Sequence, residues 1–301
     1  MHMTNIASDQ RRLVRGYSLE VNAHNVAQLT ASSALIPAGT LVPITYLPSE
    51  SMEARIAAVE AVRSLGFVPV PHIAARRFRS TGEMQEFLGA LAARAAIDRV
   101  FVIAGDVDRA AGPFNDSLSL IQNAGLRDYG VRTVGIAGYP EGHPQIPAEM
   151  LRKAMFEKIA ALSAQGIDHE VVSQFTFDAQ PVLQWAAQLR ADGVSAPLRI
   201  GIPGSASVGT LLRFAARCGV GATARGLAKY GISMTRLLAT AAPDKFVEEL
   251  AAGLSPSVHG VVAIHLYTFG GIARSAEWAS RYLGEAGSEA PVALASRQRG
   301  V

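Results

Sequence analysis

The chain has 301 residues, 49% of them hydrophobic and 18% charged, with a formal net charge of +3. That composition supplies a large core and excludes a disordered or fibrous chain. Its basic residues fall in short clusters, Arg11-Arg12, Arg76-Arg77 and Arg297/Arg299, and form no stripe interleaved with aromatics; this argues against a nucleic-acid surface and suits an anionic substrate.

From the N-terminus, residues 1–15 are polar and carry no apolar signal stretch, and no run of 18 apolar residues occurs, so a cytoplasmic protein without a membrane segment is expected. Strands are predicted over 17–21, 41–45, 67–71, 99–103, 133–137, 170–173, 198–202 and 260–266, most of them continuous runs rich in Val and Ile. Helices are predicted between them. The helix over 51–65 places Met52, Ile56, Val59, Val62 and Leu65 on one face, and that over 81–96 places Met84, Phe87, Leu88 and Leu91 likewise. Further helices are predicted over 115–124, 147–164, 180–191 and 207–217. Two extra ones, over 227–240 and 245–253, precede the last strand, a helix over 272–283 follows it, and residues 284–301 read as a loose tail. Eight strand–helix units imply parallel strands with right-handed crossovers. In a chain of this length they fit a closed (β/α)8 TIM barrel, of class α/β, better than an open doubly wound sheet. One domain over 1–301 is expected, with its core at about 17–283.

In such a barrel the chemistry gathers at the C-terminal ends of the strands. Glu20 lies within Tyr17-Ser18-Leu19-Glu20-Val21 of the first strand, where a carboxylate costs folding energy unless it is paired or has a task. Partial burial is expected to raise its pKa and keep a proton available for general-acid work; the plainer alternative is a paired rim acid. Asp106 follows Gly105, which lets the backbone approach a ligand, and reads either as an acceptor for a ring N–H or as a turn aspartate. Gln174 ends the sixth strand; its amide can read a heterocycle edge bidentately or cap a loop. His24, His72, His143, His169, His259 and His265 lie on different elements without HxxxH or HxH spacing, so no metal site is expected. The lone Cys218 excludes a disulfide within the chain, fits a reducing compartment and reads as buried filler on a helix. No GxGxxG opens a helix after a strand, and no GxSxG or P-loop occurs; Gly201-Ile202-Pro203-Gly204-Ser205 either holds an anion or makes a turn.

Several segments, taken in order, resemble the methylenetetrahydrofolate reductases. They are Pro71-His72, Gly105-Asp106, Ala137-Gly138-Tyr139-Pro140-Glu141-Gly142-His143-Pro144, Ser173-Gln174-Phe175-Thr176-Phe177-Asp178, Gly201-Ile202-Pro203 and His265-Leu266-Tyr267-Thr268. The resemblance implies a (β/α)8 oxidoreductase acting on CH–NH donors, which interconverts 5,10-methylenetetrahydrofolate and 5-methyltetrahydrofolate. FAD would carry hydride from NADH or NADPH. Carried over by position, Glu20 is the acid that opens the folate's imidazolidine ring. Asp106 contacts the pterin and influences the flavin. Gln174 binds the pterin, with Phe177 and Tyr267 beside the substrate. Thr45, His72, Gly105, Asp106, Phe114, Gly138, Tyr139 and His143 line the flavin pocket. The implied partners are a tetrahydrofolate derivative and a nicotinamide nucleotide, with neither nucleic acid nor membrane, and a homo-oligomer is allowed.

The chain also departs from the family pattern. Val21-Asn22-Ala23-His24 replaces the usual Phe-Phe-Pro-Pro, Ala104 replaces an arginine, and Phe269-Gly270 replaces Asn-Arg. On the helix before strand six, Phe156, Ile159, Leu162 and Ser163 stand where polar and basic residues anchor the flavin's ribityl chain and diphosphate. Charge-assisted contacts carry much of diphosphate affinity. Two further readings follow: a flavin-independent or methyltetrahydrofolate-oxidising variant, and a non-catalytic folate-binding barrel. Retention of Glu20 favours catalysis, because binding alone does not need that acid.

Overall fold

The computed structural model describes residues 9–220 and 239–284. Eight parallel strands close into a barrel: β1 (Ser18–Leu19), β2 (Leu41–Ile44), β3 (Val68–Ala74), β4 (Arg99–Ile103), β5 (Thr133–Gly138), β6 (Asp168–Ser173), β7 (Leu198–Pro203) and β8 (Val262–Tyr267). Their order around the barrel is β1-β8-β7-β6-β5-β4-β3-β2. This is the expected (β/α)8 architecture. The outer ring comprises α1 (Val26–Ser32), α2 (Met52–Ser64), α3 (Thr81–Ala95), α4 (Ser117–Asn123), α5 (Ala148–Ala164), α6 (Ala179–Ala191), α7 (Val208–Cys218), α8 (Asp244–Gly253), α9 (Pro256–His259) and α10 (Ile272–Leu283).

Local chemistry places the helix starts. Ser51, Ser80, Asp116, Asp178 and Ser207 each accept a backbone N–H from the first turn of the helix that follows. A side-chain oxygen there satisfies a donor that the helix cannot bond internally. Helix α1 has no counterpart among the predicted elements: only Leu29 and Ser32 of its seven residues are buried, too few to register as a periodic stripe. The predicted helix over 227–240 lies outside the described residues except at its end, where Thr240–Ala241 pairs antiparallel with Ala206–Ser207. The predicted tail over 284–301 lies outside them apart from Gly284. Between β7 and β8 the described extra helices are α8 and the short α9.

Side chains alternate across each strand, and here the alternation separates two kinds of surface. Leu19, Val102, Ile136, Ile200 and Leu266 point outward beneath the helices, each at most 1% exposed. The inner positions Ser18, Glu20, His72, Glu170, Arg199 and His265 line a central cavity together with Leu41, Pro43, Val70, Phe101, Val172 and Tyr267. The apolar runs of the sequence therefore belong mainly to the helix-covered face. Two charged residues meet low in the lumen, where Arg199 Nε donates to Glu170 Oε2 at 2.9 Å and Arg199 Nη1 to the Gly16 carbonyl at 2.9 Å.

Candidate functional site

Glu20 follows β1 directly. Its backbone is held on both sides: its N–H donates to the Leu266 carbonyl, and its carbonyl accepts from Thr268 Oγ1 at 2.8 Å. Its carboxylate is thereby aimed at the cavity between two imidazoles. Oε2 lies 3.6 Å from His265 Nε2 and 3.9 Å from His72 Nε2. Burial pushes the carboxyl up, but the facing imidazole of His265, then His72, and the nearby Thr45 hydroxyl together outweigh it, so the net direction is downward. This corrects the expectation of a raised pKa, because the sequence could not reveal that two histidines face the acid. The same burial drives His72 from its ordinary value down to about 4, which leaves that ring neutral near neutral pH.

A pH dependence of stability follows. Between about 6.5 and 4 the unfolded chain protonates His72 while the folded chain does not, so protons favour unfolding and stability falls as pH drops through that window. The full effect is about 3 kcal/mol. Denaturation midpoints measured across this range should decline less steeply for His72→Gln than for the unsubstituted protein; parallel curves would refute the assignment.

Gln174 lines a second cavity, with Tyr139, His143, Thr176 and Cys218 among its walls. Its backbone N–H donates to the Gly138 carbonyl at 2.8 Å, and its Oε1 accepts from the Phe175 N–H at 3.0 Å, which leaves the amide's N–H donors for the cavity. The Tyr139 and His143 rings meet edge to face at 5.3 Å. Tyr267 links the two cavities: its OH donates to the Ser173 carbonyl at 3.2 Å, and burial, then the charge of Glu20 and the neighbouring Tyr139 and Cys218, hold its phenol well above the usual range.

Helix α7 ends beside this second cavity. A Cβ at Gly219 would lie 2.5 Å from Pro144 in the loop after β5. Phe214 stacks on Phe269 at 4.0 Å, and Phe269 continues through Tyr267 to Phe175 as an aromatic ladder. Cys218, expected as filler, is half-buried and senses the charge of Glu20.

The remaining predicted residues are placed differently. Asp106 is exposed at the rim and accepts from Arg77 Nη2, which holds its carboxyl below the usual range. Gly105 adopts φ +98°, a conformation that glycine takes readily, and so turns the chain toward Asp106. Phe114 and Phe177 are each 2% exposed and sit in the hydrophobic core, so neither offers a surface to a ligand in this conformation. A Cβ at Gly138 would strike Trp185 of α6; the bare glycine lets β5 pack close to that helix. Glu20, Thr45, His72 and Tyr267 thus come together, Gln174, Tyr139 and His143 form an adjoining group, and Asp106 stands apart. Ser18 and His265 lay outside the candidates, yet both face the acid's cavity. Position parity was the available signal, since residues two apart on a strand share a face, as Ser18 does with Glu20 and His265 with Tyr267.

Among the described residues, those at the positions where the family anchors the flavin diphosphate do not fit that group. Leu162 is fully buried, and Phe156 and Ile159 pack against the core. The cations of α5 face other partners: Arg152 pairs with Asp192 at 2.9 Å, Lys153 lies 3.8 Å from Glu157, and Lys158 is buried. At the other family anchor, a Cβ on Gly270 would collide with the Ser205 carbonyl and Ala206, so no larger side chain fits there on this backbone. Among the described residues no group of three His, Cys, Asp or Glu side chains is placed to hold a metal ion, and no helix is long and apolar enough to cross a membrane.

Comparisons with known proteins bear on this geometry. The family described as methylenetetrahydrofolate reductase matches residues 24–270. Methylenetetrahydrofolate reductase 2 of Saccharomyces cerevisiae is 30% identical over 84 residues, which cover 28% of this chain and 13% of the yeast protein. A solved structure described as an uncharacterized protein from Clostridium thermocellum that binds two copies of 5-methyl-5,6,7,8-tetrahydrofolic acid superposes with a TM-score of 0.57. It is 11% identical, with 89% of this chain and 92% of that one covered, and so shares the fold.

Proposed function

This chain belongs to the methylenetetrahydrofolate reductase family, and from that premise we propose that it reduces 5,10-methylenetetrahydrofolate to 5-methyltetrahydrofolate with hydride taken directly from a reduced nicotinamide nucleotide, without FAD. One observation carries the reading: the half-buried carboxyl of Glu20 at the barrel mouth, flanked by His265 and His72, with the N–H donors of the Gln174 amide in a second cavity. A proton from Glu20 to the folate's N10 breaks the bond between N10 and the methylene carbon and leaves an iminium at N5. Hydride from the nicotinamide then adds to that carbon, yielding the methyl group and the oxidised nucleotide. The carrier is required because no side chain supplies hydride. In this reading Gln174 orients the pterin, and the aromatic ladder from Phe175 to Phe214 keeps water from the reacting carbon.

The apolar face of α5 and the crowded Gly270 support direct transfer over a flavin relay. The test uses nicotinamide nucleotide deuterated at C4. Direct transfer places the deuterium in the methyl product and gives sequential kinetics, with no flavin absorbance at about 450 nm in the purified protein. Ping-pong kinetics with loss of label to solvent would reject direct transfer. Absence of nucleotide oxidation in the presence of methylenetetrahydrofolate would reject the activity itself.

A further inference from the structure

We propose that His265 stores the proton that Glu20 delivers, so that imidazole and carboxyl share one proton whose position depends on whether the mouth is covered. The inference rests on Glu20 being the acid of the reduction. His265 Nε2 stands 3.6 Å from Glu20 Oε2, and its Nδ1 lies 2.9 Å from Ser18 Oγ. An imidazolium donates at both nitrogens, and here each nitrogen faces an oxygen able to accept. Ser18 and His265 sit opposite each other in the β1–β8 register and are 0% and 1% exposed. Tyr267 packs edge-on against the ring at 4.7 Å. The imidazole is therefore fixed with one edge on Ser18 and the other on the acid.

The other groups around the pair are poor stores. They are His72 from β3, Thr45 after β2, Tyr267 from β8, Cys218 from α7 and, lower in the lumen, Arg199 with Glu170. Burial keeps His72 neutral near neutral pH, while the raised Tyr267 phenol and Cys218 thiol hold their protons. Arg199 is neutralised by Glu170 at 2.9 Å. Among the described residues, His265 is the neighbour whose ring bridges the carboxylate and a second acceptor, as a proton store requires.

In the open site the shared proton lies between the imidazole edge and the carboxylate it faces, with Ser18 Oγ on the ring's other nitrogen. A folate covering the mouth excludes water, and loss of solvation favours the neutral pair over the charged one. One N–H bond breaks and one O–H bond forms. Glu20 is then the carboxylic acid that ring opening requires, and the pair is recharged from solvent after product leaves.

Calorimetry of 5-methyltetrahydrofolate binding to the full chain, near neutral pH in buffers of differing ionisation enthalpy, tests the idea. The unsubstituted protein should bind without net proton uptake, because the proton moves internally. His265→Gln should take up about one proton per site as Glu20 recruits it from solvent. Equal uptake by both proteins would overturn the proposal. A second measurement needs no folate: histidine ring resonances of the ligand-free protein are titrated with and without Glu20→Gln. Loss of the carboxylate should change the pH response of the His265 resonances, and an unchanged response would overturn the proposal. If the folate fails to bind, the functional reading falls and the resonance titration still decides whether the proton is shared.

Discussion

Glu20→Gln is expected to lower the rate of methylenetetrahydrofolate reduction by about 10²–10⁴-fold, the range for loss of a positioned general acid. Glutamine keeps the shape of the side chain, and the Glu20 backbone remains clamped by Leu266 and Thr268. Binding of 5-methyltetrahydrofolate should therefore stay within about tenfold of normal, placing the loss in kcat rather than in ground-state affinity. Steady-state nucleotide oxidation paired with equilibrium folate binding separates the two. A variant that turns over at near-normal rates would remove Glu20 from the chemistry.

The second large effect concerns folding. Arg199→Ala should destabilise the protein by about 3–5 kcal/mol, because it strands Glu170 in the lumen without its partner. Glu170 and Arg199 are 6% and 4% exposed, so little water can replace the guanidinium. The Gly16 carbonyl loses its donor as well. Replacing both members, as in Glu170→Leu with Arg199→Met, should recover most of that loss, since a buried pair is commonly no better than an apolar match of similar volume. Denaturant midpoints for the single and double variants decide this. A single variant that costs under about 1 kcal/mol would mean that the pair is well hydrated in solution.

The barrel was legible because its outward strand positions and its helix faces are apolar at regular spacing, and Ile272–Leu283 falls where the pattern puts it. Glu20 was legible as a charge interrupting such a strand. Its environment was not, since His72 and His265 reach it only through strand register and barrel closure, 52 and 245 residues further along the chain. The expected rise in its pKa reversed for that reason. Arg199 and Glu170 escaped notice similarly, as both sit in strands that also carry Ile and Val and meet only when β6 and β7 align. Asp106 was visible as a rim acid, but its ion pair with Arg77 depends on the loops after β3 and β4 lying side by side. Departures at Phe156, Ile159 and Leu162 could be counted in the sequence, whereas their packing into the core required the structure.

Gly270 couples two distant segments of the chain. With the Ser205 carbonyl and Ala206 occupying the space a side chain would need, a single substitution that restores the family's arginine meets backbone rather than solvent. The turn after β7 would have to be rerouted before that arginine became tolerable. A side chain at position 270 therefore demands a backbone change in the segment that holds Ser205 and Ala206 as well, so no single substitution at Gly270 is accommodated.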